Sequence, residues 1–362
     1  MARDRLAAWG ARIASACAWT TLLCSVGPSA SPRAEDSVGA SARRTEPDAA
    51  SRRPRADASQ SSRLAPLAAR SLLLDGAWAG ERAVAVGERG HVLLSDDGGE
   101  AWRQIVVPTD ALLTSVAFAD DRHGLVVGHD ATILATSDGG ETWTMRHRAP
   151  ELEAPLLDVW MQSPERAIAV GAYGLILETR DGGASWTRRT IDDDDAHYNA
   201  ILSDEPRRSL YLIGEYGTIR RSTDLGSTWS AVPSPYEGSF FGGAVASDGN
   251  VVLVGLRGHA FRYAPTDASF VGLPTGTSSA LLTAVVCADG GTLLGGADGA
   301  VLVESSTRGR ISLERRADRG TVAAVLLHHT RPPILLGSFG TDVGGAPGPD
   351  DSTPKEQARC RS

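Results

Sequence analysis

Four aspartates recur at a nearly fixed interval: Asp97, Asp138, Asp181 and Asp224. Carboxylates are common acid–base groups, paired ones cleave glycosides, and clustered ones hold calcium. Each of these four, however, sits in its own copy of one short pattern, Ser/Thr-x-Asp-x-Gly-x-(small)-Trp. The copies carry Gly99 and Trp102, Gly140 and Trp143, Gly183 and Trp186, and Gly226 and Trp229. Successive tryptophans are 41, 43 and 43 residues apart. A period of that size marks a repeat architecture with one supersecondary unit per repeat. Asp accepts backbone N–H bonds within a tight turn, and Gly supplies its positive φ. Trp gives each unit a large apolar body to bury. The aspartates therefore read as turn builders rather than catalysts.

The other groups able to do chemistry are sparse. Asp158 and Glu215 are conceivable as a carboxylate pair, but no local motif selects them. Asp192 to Asp195 form an acidic run without the spacing of a calcium loop, and read as solvated. His328 and His329 are adjacent on an expected strand, where they point to opposite faces and do not share a metal. No catalytic, cofactor or metal site is expected.

A second marker supplies the register. Gly-x-x-Gly turns begin at Gly87, Gly171, Gly214, Gly255, Gly296 and Gly337, and the variant Gly128-His129-Asp130-Ala131 stands in the second repeat. The leading glycines are spaced 41, 43, 43, 41, 41 and 41 residues apart, which gives seven units. These turns lack the strand–loop–helix setting of a dinucleotide site. In the fifth and sixth units Phe270 and Ile311 stand where Trp is expected. Each unit holds four short apolar or alternating runs, which is one blade of a β-propeller. The expected fold is all-β: a seven-bladed propeller over 62–345. Leu64 to Arg70 is expected to add the missing fourth strand to the last blade and so close the ring.

That topology puts the Gly-x-x-Gly turns and the blade-to-blade crossings on one face, around the channel mouth. The aspartate turns fall on the other. Binding residues concentrate on exposed turns of a rigid scaffold. The candidate protein-binding residues are Glu88, Arg89, His129, Asp130, Tyr173, Glu215, Tyr216 and Arg257.

The chain of 362 residues has a formal charge of -8, which argues against nucleic acid. Its basic residues are Arg except for Lys355, which removes lysine-based phosphate or Schiff-base chemistry from the repeats. Arg3, Arg5 and Arg12 precede the uncharged stretch 13–32, the pattern of a secretion signal. We expect a signal peptide over 1–30, a linker over 31–61 and a tail over 346–362. A retained N-terminal anchor is the alternative. Without the leader only Cys287 and Cys360 remain, which is no disulfide framework.

The seven units, each with Gly-x-x-Gly followed by the aspartate turn (the Asp-box, or bacterial neuraminidase repeat), resemble the photosystem II assembly and stability factor family. The resemblance covers about 62–345. It implies a propeller of the thylakoid lumen or bacterial periplasm that binds a newly made membrane protein. Similar proteins in non-photosynthetic bacteria are associated with exporters of the resistance–nodulation–division type. The arginine-rich binding patch of that family is matched by Arg89 and Arg257. The resemblance implies a non-catalytic periplasmic or secreted scaffold, monomeric, whose partner is an integral membrane protein or transporter complex. Sialidases share only the aspartate turn, so the rival expectation is a glycoside hydrolase or glycan-binding lectin on the same propeller.

Overall fold

The computed structural model describes residues 61–191, 195–304 and 310–344, all within one compact unit, Asp57–Ser362. The expected leader, the linker up to residue 60, the tail and Asp192 to Asp194 lie outside the described residues.

The described residues form seven antiparallel sheets, six of four strands and one of three, each built from strands consecutive in the chain. The first blade runs through Leu73–Ala79, Arg82–Gly87, Val92–Ser95 and Arg103–Ile105. Its first strand packs on those of the second blade (Leu113–Phe118) and the last blade (Val322–Leu326), and the first strands of all seven complete a ring. Second strands such as Gly124–Gly128 and Val251–Gly255 are buried along their whole length. Their continuous Val/Leu runs suit a strand covered on both faces. Fourth strands such as Thr144–His147 alternate exposed and half-buried residues, as the rim of a blade does.

Tryptophan decides how neighbouring blades meet. Trp143 of blade 2 packs with Val84 and Leu94 of blade 1. Trp186 packs with blade 2, Trp229 with blade 3, and Trp102 with blade 7. Phe270 and Ile311 take the same place between blades 4 and 5 and blades 5 and 6. Each unit thus buries its wedge against the preceding one. That is why the pattern survives loss of the tryptophan but not loss of an apolar side chain.

The ring closes differently from the expectation. Leu64–Arg70 makes a turn and a short 3-10 helix (Ala68–Arg70) instead of a strand, and the seventh blade keeps three strands. Ser62 is bonded to Val107 in both directions, and Gln104 bonds Arg63 and Ala65, so this segment is fastened to the rim of blade 1. Ala68 joins the apolar cluster between blades 7 and 1. A Cβ on Gly340, in the third strand of blade 7, would lie 2.0 Å from the Ala69 carbonyl oxygen, so the segment does lie against the edge it was expected to extend. Closure therefore rests on packing. Cys287 is disulfide-bonded, although the two cysteines beyond the leader were read as no disulfide framework, and the other cysteines lie outside the described residues.

Candidate protein-binding face

The Gly-x-x-Gly turns are held by a device repeated in every blade. The residue after each leading glycine donates its N–H to the carbonyl just before the first strand, from Glu88 N to Leu72 O (3.1 Å) through to Ser338 N to Thr321 O (3.1 Å). The leading glycine sits so close to that carbonyl that a Cβ on Gly87 would lie 2.1 Å from Leu72 O, and on Gly214 1.9 Å from His197 O. The third residue of the turn is left-handed: Arg89, Tyr173, Tyr216 and Arg257 have φ of 55°, 56°, 54° and 58°. A non-glycine residue in that region is costly and held by its surroundings. Here the conformation aims a variable side chain outward from a rigid turn, and all four are exposed. In the second blade Asp130 takes this position and Ala131 the next one, at φ 48°, which accounts for the missing glycine.

The turns and crossings share one face, as the antiparallel blade order requires. Four of the candidates fall into a continuous arc over blades 3 to 5. Tyr173 stacks edge-on against His197 at 4.8 Å, and His197 Nδ1 is 3.7 Å from Glu215, which precedes Tyr216. The same turn continues through Gly217, bonded to Gly238 in the next crossing. Tyr236 in that crossing donates to Leu256 O at 3.1 Å and lies 4.4 Å from the His259 ring, beside Arg257. Tyr173, Tyr216 and Leu256 are 45%, 70% and 38% exposed, so the arc presents apolar and aromatic surface to solvent. His197, Tyr236, Leu256 and His259 were not among the sequence candidates. They lie in crossings, or beside the turn position that the repeat made visible.

The other candidates stand apart from this arc. Glu88 and Arg89 belong to blade 1. In blade 2 His129 is exposed and Asp130 pairs with Arg148 at 3.0 Å. Further arginines on blades 6 and 7 are occupied internally. Arg315 and Arg319 meet Asp298, while Arg316 meets Asp318 and Asp342 and covers the Phe339 ring.

On the opposite face the aspartate turns are closed on themselves. In the second, Thr136 Oγ1 donates to Asp138 at 2.8 Å, and Asp138 accepts from Thr142 N and Thr142 Oγ1 at 2.9 and 2.6 Å. Trp143 Nε1 donates to Gly140 O at 2.9 Å. The donors around Asp181 and Asp224 hold both carboxyls down to about 2, Ser185 and Thr228 contributing most. Such carboxylates are poor proton donors or acceptors near neutrality. The fourth turn places Leu225 at φ 56° where the others have glycine, and buries it between blades 3 and 4.

Two constellations could resemble enzyme machinery. Arg166, Arg180 and Arg189 converge, but on the buried Glu178 at 3.6, 2.8 and 2.9 Å, so the carboxylate they grip is the protein's own. Asp75 and Asp158 are buried on the first strands of blades 1 and 3, with Ser115 of blade 2 bonded between them. Desolvation, followed by the Asp158 charge, pushes Asp75 up to about 7. Asp158 accepts from Ser115, Val159 and Ile201, and Asp75 from Val116, so the two carboxyls tie first strands across blade boundaries. Asp158 and Glu215 have separate partners: Asp158 is buried against Ser115 and Ile201, whereas Glu215 faces His197 in a Gly-x-x-Gly turn.

His328 and His329 also depart from expectation. The strand ends at Leu326, so strict alternation no longer applies, and their rings lie 4.1 Å apart.

Residues 95–271, from the third strand of blade 1 to the fourth of blade 5, match the family described as Photosynthesis system II assembly factor YCF48. The chain is a seven-bladed propeller similar to the photosystem II assembly factors. A solved structure titled YCF48 bound to D1 peptide superposes with a TM-score of 0.64 at 17% identity, over 75% of this chain and 92% of that one. YCF48 from Cyanidioschyzon merolae gives 0.61 at 17% identity, over 75% and 94%. Virginiamycin B lyase from Staphylococcus aureus gives 0.64 at 10% identity, over 78% and 96%. At such identities the likeness is one of fold, and a shared propeller does not carry a shared activity. No curated protein sequence matches the chain.

Proposed function

We propose that this propeller is a non-catalytic scaffold that binds a segment of an integral membrane protein on the face carrying the Gly-x-x-Gly turns. The observation that carries this reading is the exposed arc Tyr173–Tyr216–Leu256–Arg257, held on strained turns that are themselves stapled to the blades. Rigid aromatic side chains with an arginine at the edge are the usual energetic anchors of protein interfaces. The family match and the relative titled as bound to a D1 peptide support a membrane-protein segment as the kind of ligand. The aspartate turns, Glu178, Asp75 and Asp158 are engaged in holding turns and blades, which supports binding over catalysis. In a non-photosynthetic host the reading extends to a resistance–nodulation–division type exporter as client, with the chain acting as an exported monomer in the periplasm.

The test is chemical crosslinking of the tagged protein in its native host, with mass spectrometry of the membrane fraction. Enrichment of one integral membrane protein is expected. Recovery without any membrane protein, or turnover of a glycoside by the purified chain, overturns the proposal.

A further inference from the structure

We propose that Glu81, His328 and His329 form a transition-metal site, suited to Zn2+, that clips the last blade to the first. Glu81 lies in the turn between the first two strands of blade 1, and the histidines lie between the first two strands of blade 7. One ligand atom from each of the three lies within 4.8 Å of the others. His328 Nε2 stands 3.5 Å from Glu81 Oε1. Ligands bound tetrahedrally at about 2.1 Å stand roughly 3.4 Å apart, so this pair already spans one edge of a zinc site. His329 is exposed, and rotation of its side chain brings the second imidazole in.

The surroundings orient these ligands. His328 is buried at its side chain (5% exposed) and lies 4.6 Å from the Trp78 ring. Its Nδ1 accepts from Thr330 N at 3.4 Å and lies 3.2 Å from Thr330 Oγ1, contacts that hold the ring with Nε2 toward Glu81 Oε1. Glu81 Oε2 accepts from Arg331 at 3.0 Å, leaving Oε1 for the ion. The Arg331 charge opposes cation binding but fixes the carboxylate, as outer partners of metal ligands do. Two imidazoles and one carboxylate favour Zn2+, Ni2+ or Cu2+ over Mg2+ or Ca2+, which prefer oxygen.

The position gives the site a role. This is the boundary where the ring closes between its last blade and its first, and among the described residues no shared strand spans it. A metal held from both sides stabilises the closed ring by mass action.

The experiment is calorimetric titration of the purified chain with ZnCl2, beside His329→Ala and Glu81→Gln, together with melting curves. His329 is exposed, so its removal leaves the metal-free melting temperature unchanged. Saturable one-site binding is expected in the parent, weakened at least tenfold in both variants. Saturating zinc should raise the parent's melting temperature by several degrees, an increase erased by EDTA and not reproduced by MgCl2. Absence of saturable binding, or binding in His329→Ala within twofold of the parent, overturns the proposal.

Discussion

Trp143→Ala tests whether the repeated tryptophan is the wedge between blades. Trp143 is 6% exposed and lies among Val84, Val86 and Leu94 of blade 1 and Leu134 of its own blade. A tryptophan buries roughly 150–250 Å2, worth about 4–6 kcal/mol at ~25 cal/mol per Å2. Partial collapse of the gap recovers some of this, and measured Trp→Ala losses run at about 3–5 kcal/mol. The bond from Nε1 to Gly140 O adds about 1 kcal/mol. We expect a loss of about 4 kcal/mol, read as a fall of roughly 8 °C in melting temperature for a domain of this size. Trp143→Phe keeps most of the apolar body and should cost about 1–2 kcal/mol. Trp229→Ala, at a half-buried copy, should lie between the two. Scanning calorimetry and urea unfolding of the three variants provide the check. A Trp143→Ala loss below about 1 kcal/mol, or a Trp143→Phe loss equal to it, would refute the reasoning.

Other expectations follow from the same geometry. Asp75 is raised from 3.8 to about 7 in the folded chain, so its contribution is fully present below pH 3.8 and is lost as pH rises through 7. Asp75→Asn should therefore gain stability relative to the parent between pH 5 and 8, on the order of 2 kcal/mol; an unchanging difference across that range contradicts the assignment. Asp181 and Asp224 carry the opposite sign: their stabilisation is present above pH 3.8 and lost as pH falls through about 2, so Asp224→Asn should flatten the acid limb of a melting profile. Gly90→Ala puts a Cβ 2.1 Å from Thr109 O at φ 68°, whereas Gly276→Ala at φ 66° meets no atom within 4 Å. The first should lose roughly 2–4 kcal/mol and the second about 1 kcal/mol, measured by urea unfolding.

The fold was legible because each repeated residue performs one repeated task. The leading glycines make room for a carbonyl, the aspartates close turns, and Trp, Phe270 or Ile311 fills the gap to the previous blade. Seven copies of the same constraint leave a period that needs no tertiary information. Closure was misread because Leu64–Arg70 occurs once. Its apolar residues suit a strand, but bonds from Ser62 and to Gln104 fasten it to the rim of blade 1 and leave a 3-10 turn at the seam. The proposed binding face was only partly visible as exposed turn positions. Glu215, Tyr216 and Arg257 stand at turn positions the register exposes, whereas Tyr236 reaches Leu256 from a crossing whose length varies. One available signal was His259 directly after the fifth turn, where blade 1 also has histidine, at His91. His328 and His329 were misassigned for want of a strand end, since alternation holds only inside a strand.

The most direct test of the binding face uses a photo-crosslinking residue placed at position 216 or, on the opposite face, at exposed position 100, in the native host. The account predicts a discrete adduct with an integral membrane protein from position 216, lost when Arg257→Glu is combined with it, and none from position 100. Equal adducts from both positions, or an adduct from position 100 alone, would contradict it.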